Sequence, residues 1–223
     1  MSRVERLGGH FVAVTFASES LAGFVSASFD DHVKFMLPDG SGEPVRRDYT
    51  PRRFDASRRE LTIEFAIHGH GPASDWARAA SVGQQAVIAG PRGSMIIPTD
   101  YDWHLLVGDA SALPAISRRL EELPAGTRAT VIGWADDAAD RRAFDSAAEV
   151  DAHWVSSGPE LVAAVRAWQW PSGEGFAWCA GEASTMAELR RVLLDEKAHP
   201  KEAMRVAAYW KRGAAAFHEN LEA

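Results

Sequence analysis

The chain has 223 residues, of which 46% are hydrophobic and 25% charged, and its formal net charge is −7. This composition excludes wholesale disorder, and the acidic balance argues against a general affinity for nucleic acid. No apolar run approaches the ~20 residues of a membrane helix, residues 1–10 do not resemble a secretory signal, and the single cysteine, Cys179, excludes an internal disulfide. We therefore expect a cytoplasmic protein that contacts no membrane, with a monomer as the default.

The first half of the chain is punctuated like a β protein. Short runs rich in β-branched and aromatic residues predict strands at residues 10–17, 32–37, 60–67 and 84–89. Turn-rich segments separate these runs, and one short helix is predicted at residues 74–80. Several strands without a long helix favour a closed antiparallel barrel.

The second half alternates strands with helices. Strands are predicted at residues 103–108, 128–134, 150–156, 176–180 and 204–210, and helices at residues 109–123, 159–168, 182–196 and 214–221. Such alternation is typical of a mainly parallel sheet with right-handed crossovers. The sequence therefore predicts two domains, residues 1–98 and residues 99–223.

Three segments that combine glycine or proline with polar groups fall at predicted strand ends. The first is RDYTPRR at residues 47–53. An aromatic ring with an adjacent hydroxyl, framed by arginines, suits a planar anionic cofactor, because the ring can stack and a guanidinium binds phosphate in a bidentate manner. The alternative is a charged strand edge at the surface.

The second segment is HGHGPASDWA at residues 68–77. Its glycines allow the backbone to approach a ligand, and Ser74 or Asp75 can open a helix whose N-terminus attracts phosphate. The pattern is only half of a dinucleotide-binding fingerprint. His68 and His70 lack a third nearby metal ligand, so a structural role is favoured over a metal site.

The third segment is GDASALP at residues 108–114. Asp109 or Ser111 would cap the following helix, whose N–H groups would then face a ligand. The carboxyl end of the first strand in an α/β sheet is the usual place for a nucleotide. The segment CAGEAS at residues 179–184 repeats the strand-to-helix pattern in the same sheet. The alternative is a helix cap and nothing more.

Six segments, taken together in order and spacing, resemble the siderophore-interacting protein family, a branch of the ferredoxin–NADP reductase superfamily. They are residues 47–52, 68–77, 90–94, 108–116, 181–189 and 209–213. The resemblance implies a β plus α/β fold. An N-terminal antiparallel Greek-key β-barrel would bind FAD, and a C-terminal parallel-sheet α/β domain would bind the nicotinamide nucleotide, with the C-terminal segment returning to the flavin.

The resemblance also implies site residues. Tyr49 would stack on the isoalloxazine ring, Thr50 would bond it near the redox-active nitrogen, and basic residues would hold phosphate and substrate. The implied FAD-binding residues are Arg47, Tyr49, Thr50, Arg52, His68, Gly71, Pro72, Ala73, Ser74, Trp76 and Ala77. The implied NAD(P)H-binding residues are Gly108, Asp109, Ser111, Ala112, Leu113, Pro114, Gly181 and Glu182, and the candidates for binding the siderophore are Lys34, Lys211 and Arg212.

The implied activity is that of an NAD(P)H-dependent flavin oxidoreductase that reduces ferric iron held by a siderophore. It requires no catalytic acid–base residue and no protein metal site, because iron is the substrate. One alternative is a flavin reductase that exchanges electrons with a ferredoxin-like protein, and another is a protein that binds ferric siderophores without turnover. Asp136, Asp137 and Asp140 favour NADH over NADPH, since their charges would repel a 2′-phosphate.

Overall fold

The computed structural model describes residues 1–37, 45–67, 71–214 and 219–220. The chain divides into two compact units, Met1–Ile97 and Pro98–Ala223. The division lies one residue before the boundary expected from the sequence.

The first unit is built from two antiparallel sheets that enclose one core. Its strands are β1 (Arg3–Leu7), β2 (Phe11–Ala17), β3 (Val33–Leu37), β4 (Val45–Tyr49), β5 (Arg53–Asp55), β6 (Glu60–Ala66) and β7 (Val87–Ala89), and its helix is α1 (Pro72–Arg78). The strand orders are β1-β2-β6-β5 and β4-β3-β7. In β3 buried Val33, Phe35 and Leu37 alternate with half-buried Lys34 and Met36, so the apolar face of the strand lies on the core.

The three strands that the sequence did not predict, β1, β4 and β5, all lie at sheet edges. Edge strands commonly carry charged side chains, which discourage pairing with other chains. Their sequences are RVERL, VRRDY and RFD. These charges mask the period-two apolar pattern on which strand prediction depends.

The second unit is a six-stranded sheet with helices. Its strands are β8 (Trp103–Gly108), β9 (Arg128–Trp134), β10 (Glu149–Val155), β11 (Gly175–Glu182), β12 (Met204–Trp210) and β13 (Glu219–Asn220). Its helices are α2 (Leu113–Glu122), α3 (Gly158–Ala167) and α4 (Ala183–Arg191), and α4 continues into a π-helical turn, Val192–Glu196. The sheet order is β10-β9-β8-β11-β12-β13, and all neighbours are parallel except the antiparallel pair β12 and β13.

The strand order creates a crevice in this unit. After β8 the chain builds β9 and β10 on one side of it and then crosses back to form β11 on the other side. Every residue of β8 and β11 is buried, as expected for central parallel strands covered on both faces. The carboxyl ends of β8 and β11 therefore meet where the order reverses, which is where open α/β sheets bind ligands.

The fold class predicted from the sequence is confirmed, but two predicted helices need correction. The predicted helix at residues 214–221 is wrong, because Glu219–Asn220 pairs antiparallel with Ala207 and Ala208. A strand there satisfies backbone groups that β12 would otherwise expose. The helix predicted from residue 109 begins only at Leu113, four residues later.

Candidate functional site

Two predicted cofactor segments of the first unit meet at one aromatic cluster. The Tyr49 ring at the end of β4 lies 4.4 Å from that of Phe65, and the Trp76 ring on α1 lies 5.2 Å from Phe65 and 4.6 Å from Phe35. Phe35 and Phe65 belong to the core and come from different sheets. The packing of the barrel thus places the end of β4 beside α1.

Tyr49 and Thr50 present a neutral ring and a hydroxyl at this place. Burial raises the pKa of the Tyr49 phenol, and the nearby charge of Arg47 lowers it by a smaller amount, so the phenol stays neutral at physiological pH. Thr50 is 7% exposed, and its hydroxyl has no hydrogen-bond partner among the residues that the structure describes.

The two arginines of this motif differ in their partners. Arg47 is half-buried, its Nη1 donates to the carbonyl oxygen of Arg46 at 2.9 Å, and it forms no ion pair with the described residues. Arg52 lies 3.1 Å from the Glu64 carboxylate through Nε, and both side chains are largely buried. Arg47 therefore has donors to offer an anion, whereas Arg52 already has a carboxylate partner.

The helix α1 begins at Pro72, two residues before its predicted start, and its N-cap is Gly71, which has no side chain to cap the first turn. The Asp75 carboxylate accepts a hydrogen bond from the Gly71 N–H at 3.2 Å. Ala77 is buried and Trp76 packs in the aromatic cluster, so both attach α1 to the barrel. A Cβ atom at Gly71 would meet nothing within 4 Å. His68 lies outside the described residues.

These groups fit the FAD that the sequence implies. The Arg47 guanidinium and the Thr50 hydroxyl offer donors to phosphate and to a ring heteroatom, and the first turn of α1 lies next to them in the fold. The half-buried Tyr49 ring adds a surface on which a planar group can stack.

Several residues predicted to bind NAD(P)H in the second unit take part in its packing. Ala112, Leu113 and Pro114 are buried. A Cβ atom at Gly108 would lie 2.4 Å from the Cβ of Ala112 and 2.6 Å from the carbonyl oxygen of Ala180. The glycine thus permits the close approach of β8, β11 and the turn before α2, and among the segment's residues Ala110 and Ser111 are half-buried.

The Asp109 carboxylate accepts four hydrogen bonds from this unit. Its Oδ1 accepts from the Ser111 backbone N–H at 2.9 Å and from the Ser111 hydroxyl at 2.5 Å. Its Oδ2 accepts from the Glu182 backbone N–H and from Trp210 Nε1, both at 2.8 Å. Burial raises the pKa of Asp109, and these hydrogen bonds oppose that effect.

Neither Asp109 nor Ser111 caps α2, so both predicted caps are wrong. The N-cap of α2 is Ala112, without a side-chain hydrogen bond. The Asp109 side chain instead turns toward the ends of β11 and β12, where the buried N–H of Glu182 and the indole N–H of Trp210 need an acceptor.

Glu182 caps α4 with its own side chain. Its Oε2 accepts from the N–H groups of Ser184 at 2.8 Å and Thr185 at 3.2 Å, and its Oε1 accepts from the N–H of Arg212 at 3.4 Å. Burial raises the pKa of Glu182, but hydrogen bonds from Ser184, Thr185 and Arg212 lower it by more, and the net direction is downward. A carboxylate therefore already occupies the first turn of α4.

A cavity of about 380 Å³ lies at the carboxyl ends of β9, β10 and β11. It is lined by Trp134, Ser157, Gly158, Pro159, Glu182, Ser184, Thr185 and Arg212. Sequence reasoning singled out only Glu182 and Arg212 of these. The Ser-Gly-Pro turn between β10 and α3 repeats the strand-to-helix pattern of the other two segments, and this signal was available in the sequence.

Lys34 and two of the predicted acidic residues have partners within the protein. Lys34 Nζ lies 2.6 Å from the Asp48 carboxylate directly across the β3–β4 pair, and Lys211 is exposed beyond β12. Asp136 accepts from Trp134 Nε1 at 2.7 Å, and Asp137 caps the turn at Ala138–Asp140. Two of the three acids expected to repel a 2′-phosphate thus accept hydrogen bonds from their own loop.

Neither a metal cluster nor a membrane helix is found in the described part of the chain. Within residues 1–37, 45–67, 71–214 and 219–220, no three His, Cys, Asp or Glu side chains are placed to hold a metal ion. Over the same residues, no helix is both long and apolar enough to cross a membrane.

Comparisons of the sequence and of the structure with known proteins agree with one another. Residues 101–213 match the profile described as "Siderophore-interacting protein", and residues 38–95 match "Siderophore-interacting FAD-binding domain". An NADPH-dependent ferric-chelate reductase from Escherichia coli is 34% identical, over 93% of this chain and 90% of that protein. The ferric vibriobactin reductase ViuB from Vibrio cholerae is 31% identical, over 97% of this chain and 90% of that protein. The crystal structure of a siderophore utilization protein from T. fusca superposes with a TM-score of 0.90 at 31% identity, covering 97% of this chain and 92% of that one.

Proposed function

Because the chain belongs to the siderophore-interacting protein family, we propose that it is an FAD-dependent NAD(P)H:ferric-siderophore oxidoreductase that reduces chelated Fe(III) to Fe(II). Relatives that cover nearly the whole chain carry the names ferric-chelate reductase and ferric vibriobactin reductase. The observation that carries the proposal is the end of β4, where Arg47 lacks a carboxylate partner among the described residues and the hydroxyl of Thr50, a residue only 7% exposed, has no partner among them.

The cofactor site is proposed in the unit Met1–Ile97. Arg47 and the first turn of α1 would bind the FAD phosphates, Thr50 would donate to or accept from the ring, and Tyr49 would stack with its phenol neutral. When bound, FAD would supply the redox chemistry by accepting a hydride from NAD(P)H and passing single electrons to Fe(III). Arg52 is ion-paired with Glu64, so it would stabilise the end of β4 instead of binding the pyrophosphate.

The donor site is proposed in the unit Pro98–Ala223, at the 380 Å³ cavity. Its hydroxyl groups from Ser157, Ser184 and Thr185 can bond ribose, and Trp134 offers a flat apolar surface. We propose NADPH as the donor, following the E. coli relative, in place of the NADH favoured by the acidic loop.

The iron chelate needs no protein ligand to the metal in this proposal. Fe(II) is held less tightly than Fe(III) by hard oxygen donors, so reduction itself releases the iron. The exposed Lys211 would attract an anionic chelate, and Lys34 would do so more weakly because Asp48 already offsets its charge. We place the reaction in the cytoplasm, where NADPH is supplied.

Absorbance spectroscopy of the purified protein tests the proposal. FAD is added first, then NADPH or NADH without oxygen, and then a ferric siderophore. Flavin bands that bleach with the nucleotide and return with the chelate are the expected result. Flavin bands that bleach with the nucleotide but do not return with the chelate would indicate that the electron acceptor is a protein such as a ferredoxin. A protein that binds ferric chelates but no flavin would be a binding protein, and the proposal would be wrong.

A further inference from the structure

Buried carboxylates hold the last residue of β12 and the segment that follows it. Asp109 accepts the indole N–H of Trp210, and Glu182 accepts the backbone N–H of Arg212. The backbone pairing of β11 and β12 shifts register between Gly181 and Glu182, directly before this segment. The side-chain contacts therefore fix the chain where the regular strand ladder ends.

The sequence provides the space for one of these carboxylates. Gly181 has a φ of +154°, and a Cβ atom there would lie 2.5 Å from Oδ2 of Asp109. Any side chain at position 181 would thus displace the carboxylate from the N–H groups of Glu182 and Trp210. The position of the Asp109 carboxylate therefore requires a glycine at position 181.

Arg212, which this segment carries, is the only basic residue among the described residues that line the 380 Å³ cavity, and Glu182 also lines it. Its guanidinium forms no ion pair within the described part of the chain, while its backbone is bonded to Glu182. A guanidinium without a carboxylate partner, beside three hydroxyl-bearing residues, suits a phosphate group.

We propose that Asp109 is a positioning residue, which through Trp210 holds Arg212 at the cavity so that its guanidinium binds a phosphate of the nicotinamide dinucleotide. Asp109 itself then touches no nucleotide, and Arg212 serves the electron donor and not the siderophore. This assignment rests on the proposed function, since that function supplies the phosphate-bearing ligand. The phosphate is either the 2′-phosphate of NADPH or the pyrophosphate common to both nucleotides.

Asp109→Asn is the informative substitution, because it preserves shape. Four donors converge on the Asp109 carboxylate, two on each oxygen. An asparagine amide offers one acceptor oxygen and one NH2 group, so two of the four donors would face another donor. Trp210→Phe removes only the indole N–H and keeps a ring in place.

The first test measures binding of NADP⁺ and NAD⁺ to the full-length, FAD-loaded protein by calorimetry. Loss of a charge-assisted contact predicts that Arg212→Ala weakens NADP⁺ about tenfold or more. A loss confined to NADP⁺ identifies the 2′-phosphate, and an equal loss for NAD⁺ identifies the pyrophosphate. Asp109→Asn and Trp210→Phe are expected to weaken the same nucleotide severalfold. The double variant should lose less than the sum of the two single losses, because both substitutions remove the contact between Asp109 and Trp210.

The second test detects the hydrogen bond between Trp210 and Asp109 in the absence of nucleotide. The eight tryptophans give eight indole N–H signals in a ¹H–¹⁵N NMR spectrum, and the Trp210 signal is the one lost in Trp210→Phe. Asp109→Asn should shift that signal upfield and speed its exchange with solvent. Trp168→Phe is the matched control, since Trp168 contacts Trp103 at the amino end of β8, and nucleotide binding should not change.

The results separate this inference from the proposed function, because neither binding nor NMR requires turnover. Wild-type protein that binds NADP⁺ but reduces no chelate would contradict the function and leave the inference intact. The inference is overturned if Arg212→Ala binds both nucleotides as tightly as wild type while the KM for the ferric chelate rises. It is also overturned if Asp109→Asn leaves the Trp210 signal in place or if the double variant shows additive losses.

Discussion

Residue type alone does not set the role of the arginines at the end of β4. Arg47 precedes the pair Tyr49–Thr50 and Arg52 follows it. Of the two arginines, only Arg52 is ion-paired with a buried carboxylate, that of Glu64. Removing one partner of a buried pair leaves the other charge uncompensated, which commonly costs about 3–5 kcal/mol. The two residues should therefore respond differently to substitution.

Arg47→Ala should weaken FAD binding without destabilising the apo protein. Loss of a hydrogen bond between charged groups corresponds to about 1.5–3 kcal/mol, or at least a tenfold increase in Kd. Titration of FAD, followed by quenching of its fluorescence, measures the change. Arg53→Ala, at an exposed position on β5, is the control and should bind FAD normally. Equal affinities for Arg47→Ala and wild type would remove Arg47 from the FAD site.

His104 should make the stability of the second unit depend on pH. It is 1% exposed, and burial, followed by the charge of Arg119, lowers its pKa from 6.5 to about 4. Between those values the unfolded chain binds more protons than the folded one, so the free energy of unfolding decreases as the pH falls from about 6.5 to about 4. At about 1.4 kcal/mol per pH unit, the total loss is roughly 3 kcal/mol.

Urea unfolding at pH 7 and pH 4.5 measures this loss. His104→Gln should lose less stability than wild type between the two pH values, because glutamine does not titrate. The exposed His153, changed to Gln, should behave as wild type. Parallel losses in all three proteins would show that other groups cause the pH dependence.

Elements of the second unit approach one another most closely at Gly108, where β8, β11 and the turn before α2 meet. Gly108→Ala would place a methyl group 2.4 Å from Ala112 and 2.6 Å from the Ala180 carbonyl. Overpacking of this kind typically costs about 1–3 kcal/mol. The midpoint of urea unfolding should fall accordingly, while Gly23→Ala, where the added methyl meets nothing within 4 Å, should leave it near the wild-type value. An unchanged midpoint for Gly108→Ala would mean that the turn moves freely.

At the level of elements, periodicity located most of the secondary structure. The strands β8, β9 and β12 match their predicted bounds, because these inner strands are mostly apolar. Three edge strands of the first unit, β1, β4 and β5, escaped prediction, since their pairing depends on a neighbour and not on their own pattern. The helix predicted at residues 214–221 failed for the same reason, as Glu219–Asn220 pairs with the edge of β12.

At the scale of the whole molecule, the tryptophans are distributed unevenly between the two units. Trp76 is the only tryptophan before residue 98, and the other seven belong to the unit Pro98–Ala223. A ligand at 100 times its Kd stabilises the folded state by about 2.7 kcal/mol. FAD should therefore shift the unfolding midpoint seen by far-UV circular dichroism more than that seen by tryptophan fluorescence, and NADP⁺ should shift the fluorescence midpoint more. Equal shifts of both signals with either ligand would contradict an assignment of one site to each unit.

The sequence by itself determined the fold class, the family and the motif that ends β4, because apolar periodicity and six ordered segments are properties of the chain alone. It could not show that Arg52 is ion-paired while Arg47 is not, because Glu64 reaches Arg52 only through the pairing of strands. Nor could it show that Asp109 faces Trp210, which lies 101 positions away. Those roles depend on which groups burial brings together and which acceptors the buried N–H groups then require, and only the tertiary structure decides both.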